Sequence, residues 1–119
     1  MYSKRFQILM IVAIVLFSWA ASSMAASKWT PIGEWQDFLG DYWKQTIRIY
    51  KNGDYFRLEC SFPGESPINR TLIPLKAKRG ERKRFRDNQS DFKEEYAILS
   101  NGDLALYDQE GFIRKAMRK

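Results

Sequence analysis

The stretch Trp43-Lys-Gln-Thr-Ile-Arg-Ile-Tyr-Lys-Asn-Gly-Asp-Tyr-Phe-Arg-Leu-Glu-Cys-Ser-Phe62 decides the fold. Two alternating runs flank Asn52-Gly53, and Asn-Gly suits a two-residue type I′ turn because both central residues need positive φ. Folding about that turn opposes Ile49 to Phe56, Ile47 to Leu58, Gln45 to Cys60 and Trp43 to Phe62 on one largely apolar face. The other face opposes Tyr50 to Tyr55, Arg48 to Arg57 and Thr46 to Glu59. A one-residue slip would turn every side chain to the wrong face, so the pattern specifies which residues enter a core.

Upstream, Trp29 to Trp43 is dense in aromatics. Thr30-Pro31 suits a helix N-cap with Pro at the first helical position, Ile32, Trp35 and Phe38-Leu39 recur at helical spacing, and Gly40 can end the turn. A short N-terminal helix is expected there, either a lid over a cavity or a plug at one end of the core. Downstream, Pro63-Gly64-Glu65-Ser66-Pro67 is a loop, and Arg70 to Arg79 alternates again, with Pro74 marking an edge strand or a bulge. Arg82 to Arg86 is a short basic strand carrying Phe85, and Asp87 to Asp91 a polar loop. A second hairpin about Asn101-Gly102 opposes Leu99 to Leu104, Ala97 to Leu106 and Tyr96 to Tyr107, and Phe112 to Met117 is a final strand. Seven or eight short strands joined by tight turns predict an all-β fold, a small antiparallel up-and-down meander closing into a barrel.

The first residues read as an address. Lys4 and Arg5 precede an apolar run from Ile8 to Phe17, and Ser23 and Ala25 occupy the −3 and −1 positions of a small-residue cleavage site. That run is shorter than the about 20 apolar residues a membrane span needs. Residues 1–25 are therefore expected to be a cleaved signal peptide, with an uncleaved anchor as the alternative. Residues 26–119 form a single exported domain, periplasmic or secreted. Cys60 is the one cysteine, so no internal disulfide can form. Its alternation places it on the apolar face as a small buried residue, a reactive thiol or an intermolecular disulfide being the alternative. The chain has no His, which removes the commonest general base and zinc ligand.

Gly33-Glu34-Trp35 ahead of a meander resembles the Gly-x-Trp signature at the start of lipocalins. Phe38-Leu39-Gly40-Asp41-Tyr42-Trp43, followed by Ile-x-Ile and Asn-Gly-Asp-x-Phe, is similar to the opening of small bacterial lipocalin-like domains of the calycin type. Tyr96-Ala-Ile-Leu-Ser-Asn-Gly-Asp-Leu104 resembles a late hairpin of such barrels. The resemblance implies an eight-stranded barrel with a small apolar cavity, a Trp closing one end, and an Arg covering that Trp, for which Arg114 is the candidate. Gly33 and Trp35 match the signature, and theirs is a structural role.

The sharpest compositional feature is basic. Arg70, Lys76, Lys78, Arg79, Arg82, Lys83, Arg84 and Arg86 stand against Glu81 alone between positions 70 and 86. Such a stripe can dock lipid headgroups, a polyanionic glycan or an acidic protein, while export argues against nucleic acid. Asp87, Asp91, Glu94, Glu95, Asp103, Asp108 and Glu110 follow, and neighbouring strands of a meander could pair the two sets. Glu94 and Glu95 alternate to opposite faces and cannot act as a paired acid and base. Asp108-Gln109-Glu110 is too short for a calcium loop, and no nucleophile elbow or phosphate loop occurs. No catalytic residue, metal site or cofactor is expected.

The chain therefore reads as an exported, non-enzymatic binding module. A small apolar ligand would sit in a narrow barrel against Trp35, Trp43, Phe56 and Leu58. The remaining inner face is expected to hold Phe38, Ile47, Ile49, Phe62, Leu72 or Ile73, Leu99, Leu104 and Leu106. The alternative is an interaction or inhibitor domain docking an anionic partner through Lys76, Lys78, Arg79, Arg82, Lys83, Arg84 and Arg86.

Overall fold

A computed structural model describes residues 28–40 and 43–119. The expected signal peptide lies outside the described residues. Eight strands follow one another: β1 Thr30–Phe38, β2 Lys44–Asn52, β3 Tyr55–Ser61, β4 Ile68–Leu75, β5 Glu81–Asp87, β6 Glu95–Leu99, β7 Leu104–Asp108 and β8 Gly111–Arg118. Each pairs antiparallel with the next, and β8 returns to β1 to close the barrel. Closure leaves no continuous open edge.

The expected helix is absent from the described part of Trp29 to Trp43, where Thr30–Phe38 is strand β1. Closure decides this, because β1 must supply ladder partners to both β2 and β8. A bulge between Pro31 and Gly33 shifts the phase of the strand. It sends Trp35 and Asp37 inward and leaves Phe38 at the surface, which mimics a three-residue spacing. Pro74 sits inside β4, but β3 pairs with β4 only as far as Leu72, so its missing N–H breaks no β3–β4 bond.

Both hairpins form, each in a different register from the one expected. In β2–β3 the pairs are Ile49–Leu58, Ile47–Cys60 and Tyr50–Arg57, around a Gly53-Asp54 loop in which Gly53 takes φ +62°. Gly at the first central position is the II′ pattern rather than I′. The shift is two residues, so every side chain keeps its expected face. It also moves Arg48 from opposite Arg57 to opposite Glu59, where a 3.1 Å ion pair replaces a like-charge clash. In β6–β7 the shift is one residue, pairing Ile98 with Leu104, Ala97 with Ala105 and Tyr96 with Leu106. Tyr96 and Ile98 thereby enter the core in place of Ala97 and Leu99, burying more apolar surface. The longer loop also turns the Gly102 carbonyl to accept a 2.7 Å hydrogen bond from Trp35 Nε1.

The interior is a packed core of Trp35, Ile47, Ile49, Phe56, Leu58, Leu72, Phe85, Tyr96, Ile98, Leu104, Leu106 and Ala116. An eight-stranded barrel is just wide enough for side chains to fill. Leu72 rather than Ile73 faces inward, while Phe38 and Trp43, expected inside, are exposed.

Candidate functional site

The ends of β1, β3, β5 and β7 and the starts of β2, β4, β6 and β8 meet at one end of the barrel. There the inward rows change character by one pleat step. Trp35 gives way to Asp37, Ile47 to Gln45, Leu58 to Cys60 and Leu72 to Arg70. Phe85 likewise gives way to Asp87, Tyr96 to Glu94 and Ala116 to Arg114. The result is a cup of about 350 Å³ over an apolar floor of Leu58 and Leu106. Gln45, Cys60, Arg70, Asp87, Glu94, Tyr96, Ile113 and Arg114 stand in its wall.

Charges buried on this scale need partners. Fully buried Asp37 accepts two 2.7 Å hydrogen bonds from Arg114, at Nε and Nη2, and a third from Gln45 Nε2. This bonding holds the Arg114 guanidinium even more firmly protonated than usual. Buried Asp87 accepts from the Gln89 backbone N–H and faces Arg70 Nε at 3.8 Å. Gln89 Oε1 also takes the Thr71 N–H, which fastens the β5–β6 loop to β4. Glu94 accepts the Tyr96 hydroxyl at 3.2 Å. Burial, and then Glu94, raise the Tyr96 phenol. Burial, with Glu94, Asp37 and Asp87 behind it, pushes the Cys60 thiol up to about 11. Cys60 is thus a half-buried neutral thiol packed against the core.

The rim of this mouth carries several exposed apolar side chains among charged ones. Of the nine exposed large apolar side chains among the described residues, six stand on its loops and strand ends: Phe38, Trp43, Ile68, Phe92, Phe112 and Ile113. The opposite end is shut by Trp35, whose six-membered ring lies so close to Gly33 that a Cβ there would overlap Cη2. Arg114 is not the residue beside this Trp. It belongs to the mouth, and Arg118 is the β8 partner of Trp35.

Of the residues expected to hold a ligand, Trp35, Phe56 and Leu58 share the packed core, Leu58 reaching the floor of the cup, and Trp43 stands apart on the rim. The basic stripe divides. Arg84 is buried on the outer face, ion-paired to Glu81 and Glu95 and stacked 4.4 Å from the Tyr107 ring, and Arg86 shares Glu95. Lys76, Lys78, Arg79, Arg82 and Lys83 are exposed, with no acidic partner among the described residues. The sequence reading does not bring Asp37, Arg70, Asp87, Glu94 and Tyr96 together as one site, and counts Arg70 only in the basic stripe. The signal lies in extending each apolar inward row by one step, where a polar residue follows. Comparison with family models, curated proteins and solved structures returns no match for this chain.

Proposed function

We propose that the protein is an exported, non-enzymatic binding module of lipocalin-like design that holds a small amphipathic ligand in the mouth cup. The observation that carries this reading is the coincidence, at one barrel end, of a 350 Å³ cup with a rim of exposed aromatic and aliphatic side chains. Small-molecule sites are concave and combine apolar surface with placed polar groups; here the floor and rim supply the apolar surface and the wall is mostly polar. The charged wall argues for an amphipathic rather than a purely apolar ligand: its apolar part meets the rim and Leu58, and its polar part meets Arg70 and Glu94. The Gly33–Trp35 contact at the closed end supports the lipocalin-like assignment.

Native mass spectrometry of protein purified from the exported fraction tests this, together with the fluorescence of added N-phenyl-1-naphthylamine. The expected result is a mass excess lost on denaturation, and dye enhancement that Ile113→Trp abolishes while far-UV circular dichroism stays unchanged. A clean apo mass with no dye enhancement overturns the proposal.

A further inference from the structure

The end opposite the mouth is a cationic face. Lys76, Lys78 and Arg79 lie between β4 and β5, and Arg82 and Lys83 open β5. Lys51 is the penultimate residue of β2, and its ammonium and that of Lys83 stand 5.8 and 6.0 Å from the Phe56 ring centroid. None of these six takes part in an ion pair among the described residues, and all are exposed. Of the acids at this end, Glu81 binds Arg84 and Asp103 accepts the Arg118 N–H, while Asp54 in the β2–β3 turn is exposed and outnumbered by the six cations. Chain direction supplies a second, independent fact. Thr30, the first residue of β1, pairs with Lys51. The chain that leads into β1 therefore joins the barrel at the cationic end and not at the mouth.

We propose that this face docks on an anionic lipid surface, holding the barrel end-on with the cup turned away from the membrane. Clustered Lys and Arg are attracted to anionic headgroups, and the attraction falls off within a Debye length. Discrete exposed ammonium and guanidinium groups around a closed barrel end suit a flat polyanionic surface, whereas the opposite end offers a cup and a rim with exposed apolar side chains.

The test is flotation of the exported protein with vesicles of phosphatidylglycerol and phosphatidylcholine in equal parts, at low and high salt, against vesicles of phosphatidylcholine alone. Binding is expected to the anionic vesicles only and to be lost at high salt. At about fivefold per charge, Lys76→Gln/Lys78→Gln/Arg79→Gln should weaken it on the order of a hundredfold. Lys44→Gln/Lys93→Gln/Lys115→Gln carries the same net charge with the cations removed elsewhere and should retain most of the binding, and Trp43→Ser/Phe92→Ser at the mouth should retain it fully. Equal loss in both triple variants, or loss through the mouth variant, overturns the proposal. So does retention on an anionic polysaccharide resin without vesicle binding.

Discussion

Cys60 sits one pleat step from Leu58, on the wall of the cup, and its thiol faces more carboxylate than guanidinium. Burial and those carboxylates move it from 9.0 to about 11, so the folded state keeps a proton that the unfolded chain has released. The stabilisation this gives is fully present below pH 9 and is lost as pH rises toward 11. Screening of a half-buried group limits the loss to the order of 1–2 kcal/mol. Urea unfolding measured from pH 8 to 11 should show stability holding to about pH 9 and falling from there toward 11, and Cys60→Ala should flatten the lower part of that fall. Tyr96, raised by burial and Glu94 from its ordinary 10.0, sustains the decline above pH 10 in the variant. An unchanged slope in Cys60→Ala would assign the whole decline to other groups. The same displacement makes the thiol a slow nucleophile, since the thiolate is the reactive form.

Strand β1 shows what an element can hide. Its sequence carries helical punctuation in Thr30-Pro31 and Gly40, yet β1 must bridge β2 and β8, and that demand overrides local preference. The meander, the strand count and the inner face of β2–β3 were legible because alternation is a two-residue period that survives a two-residue shift. The second hairpin was less so, because its turn is set by a distant residue: Trp35 donates to the Gly102 carbonyl across 67 positions of sequence. The cup was hidden for a related reason. Reading Thr30 to Gly40 as a helix removed Asp37 from the inward rows, and with it the partner that makes sense of Arg114. Within β1, Gly33 is fixed by its neighbour. Any Cβ there enters the Trp35 ring, so Gly33→Ala should cost about 1–3 kcal/mol by overpacking. Denaturant unfolding of Gly33→Ala beside Gly53→Ala separates the two causes. At Gly53 nothing lies within 4 Å and the φ of +62° alone opposes a side chain, at about 1–2 kcal/mol. Restoring part of the loss with Trp35→Phe in the Gly33→Ala background, but not in Gly53→Ala, would identify the ring contact.

At the scale of the whole barrel, the junctions are unequal. β1 and β2 share eight residue pairs, whereas β1 and β8 share two, Trp35 with Arg118 and Gln36 with Met117. Side chains supplement this short seam at both ends. Lys119 reaches Glu34 at 2.9 Å on an exposed surface, which contributes little. Across the mouth, Asp37 of β1 and Arg114 of β8 form a bidentate pair with one partner fully buried. The wall of the candidate site is thus also the clasp of the barrel. Arg114→Ala leaves the Asp37 carboxylate buried with Gln45 as its one remaining side-chain partner, a loss of about 3–5 kcal/mol. Asp37→Ala should cost less, because the half-buried Arg114 guanidinium can turn to water. Local opening follows the weakest junction, so native-state hydrogen exchange should place the least protected ladder amides of the wild type at the β1–β8 seam. In Arg114→Ala those amides should exchange faster by a larger factor than amides of the β2–β3 ladder. Uniform acceleration of both ladders would mean that the pair supports global stability without guarding the seam.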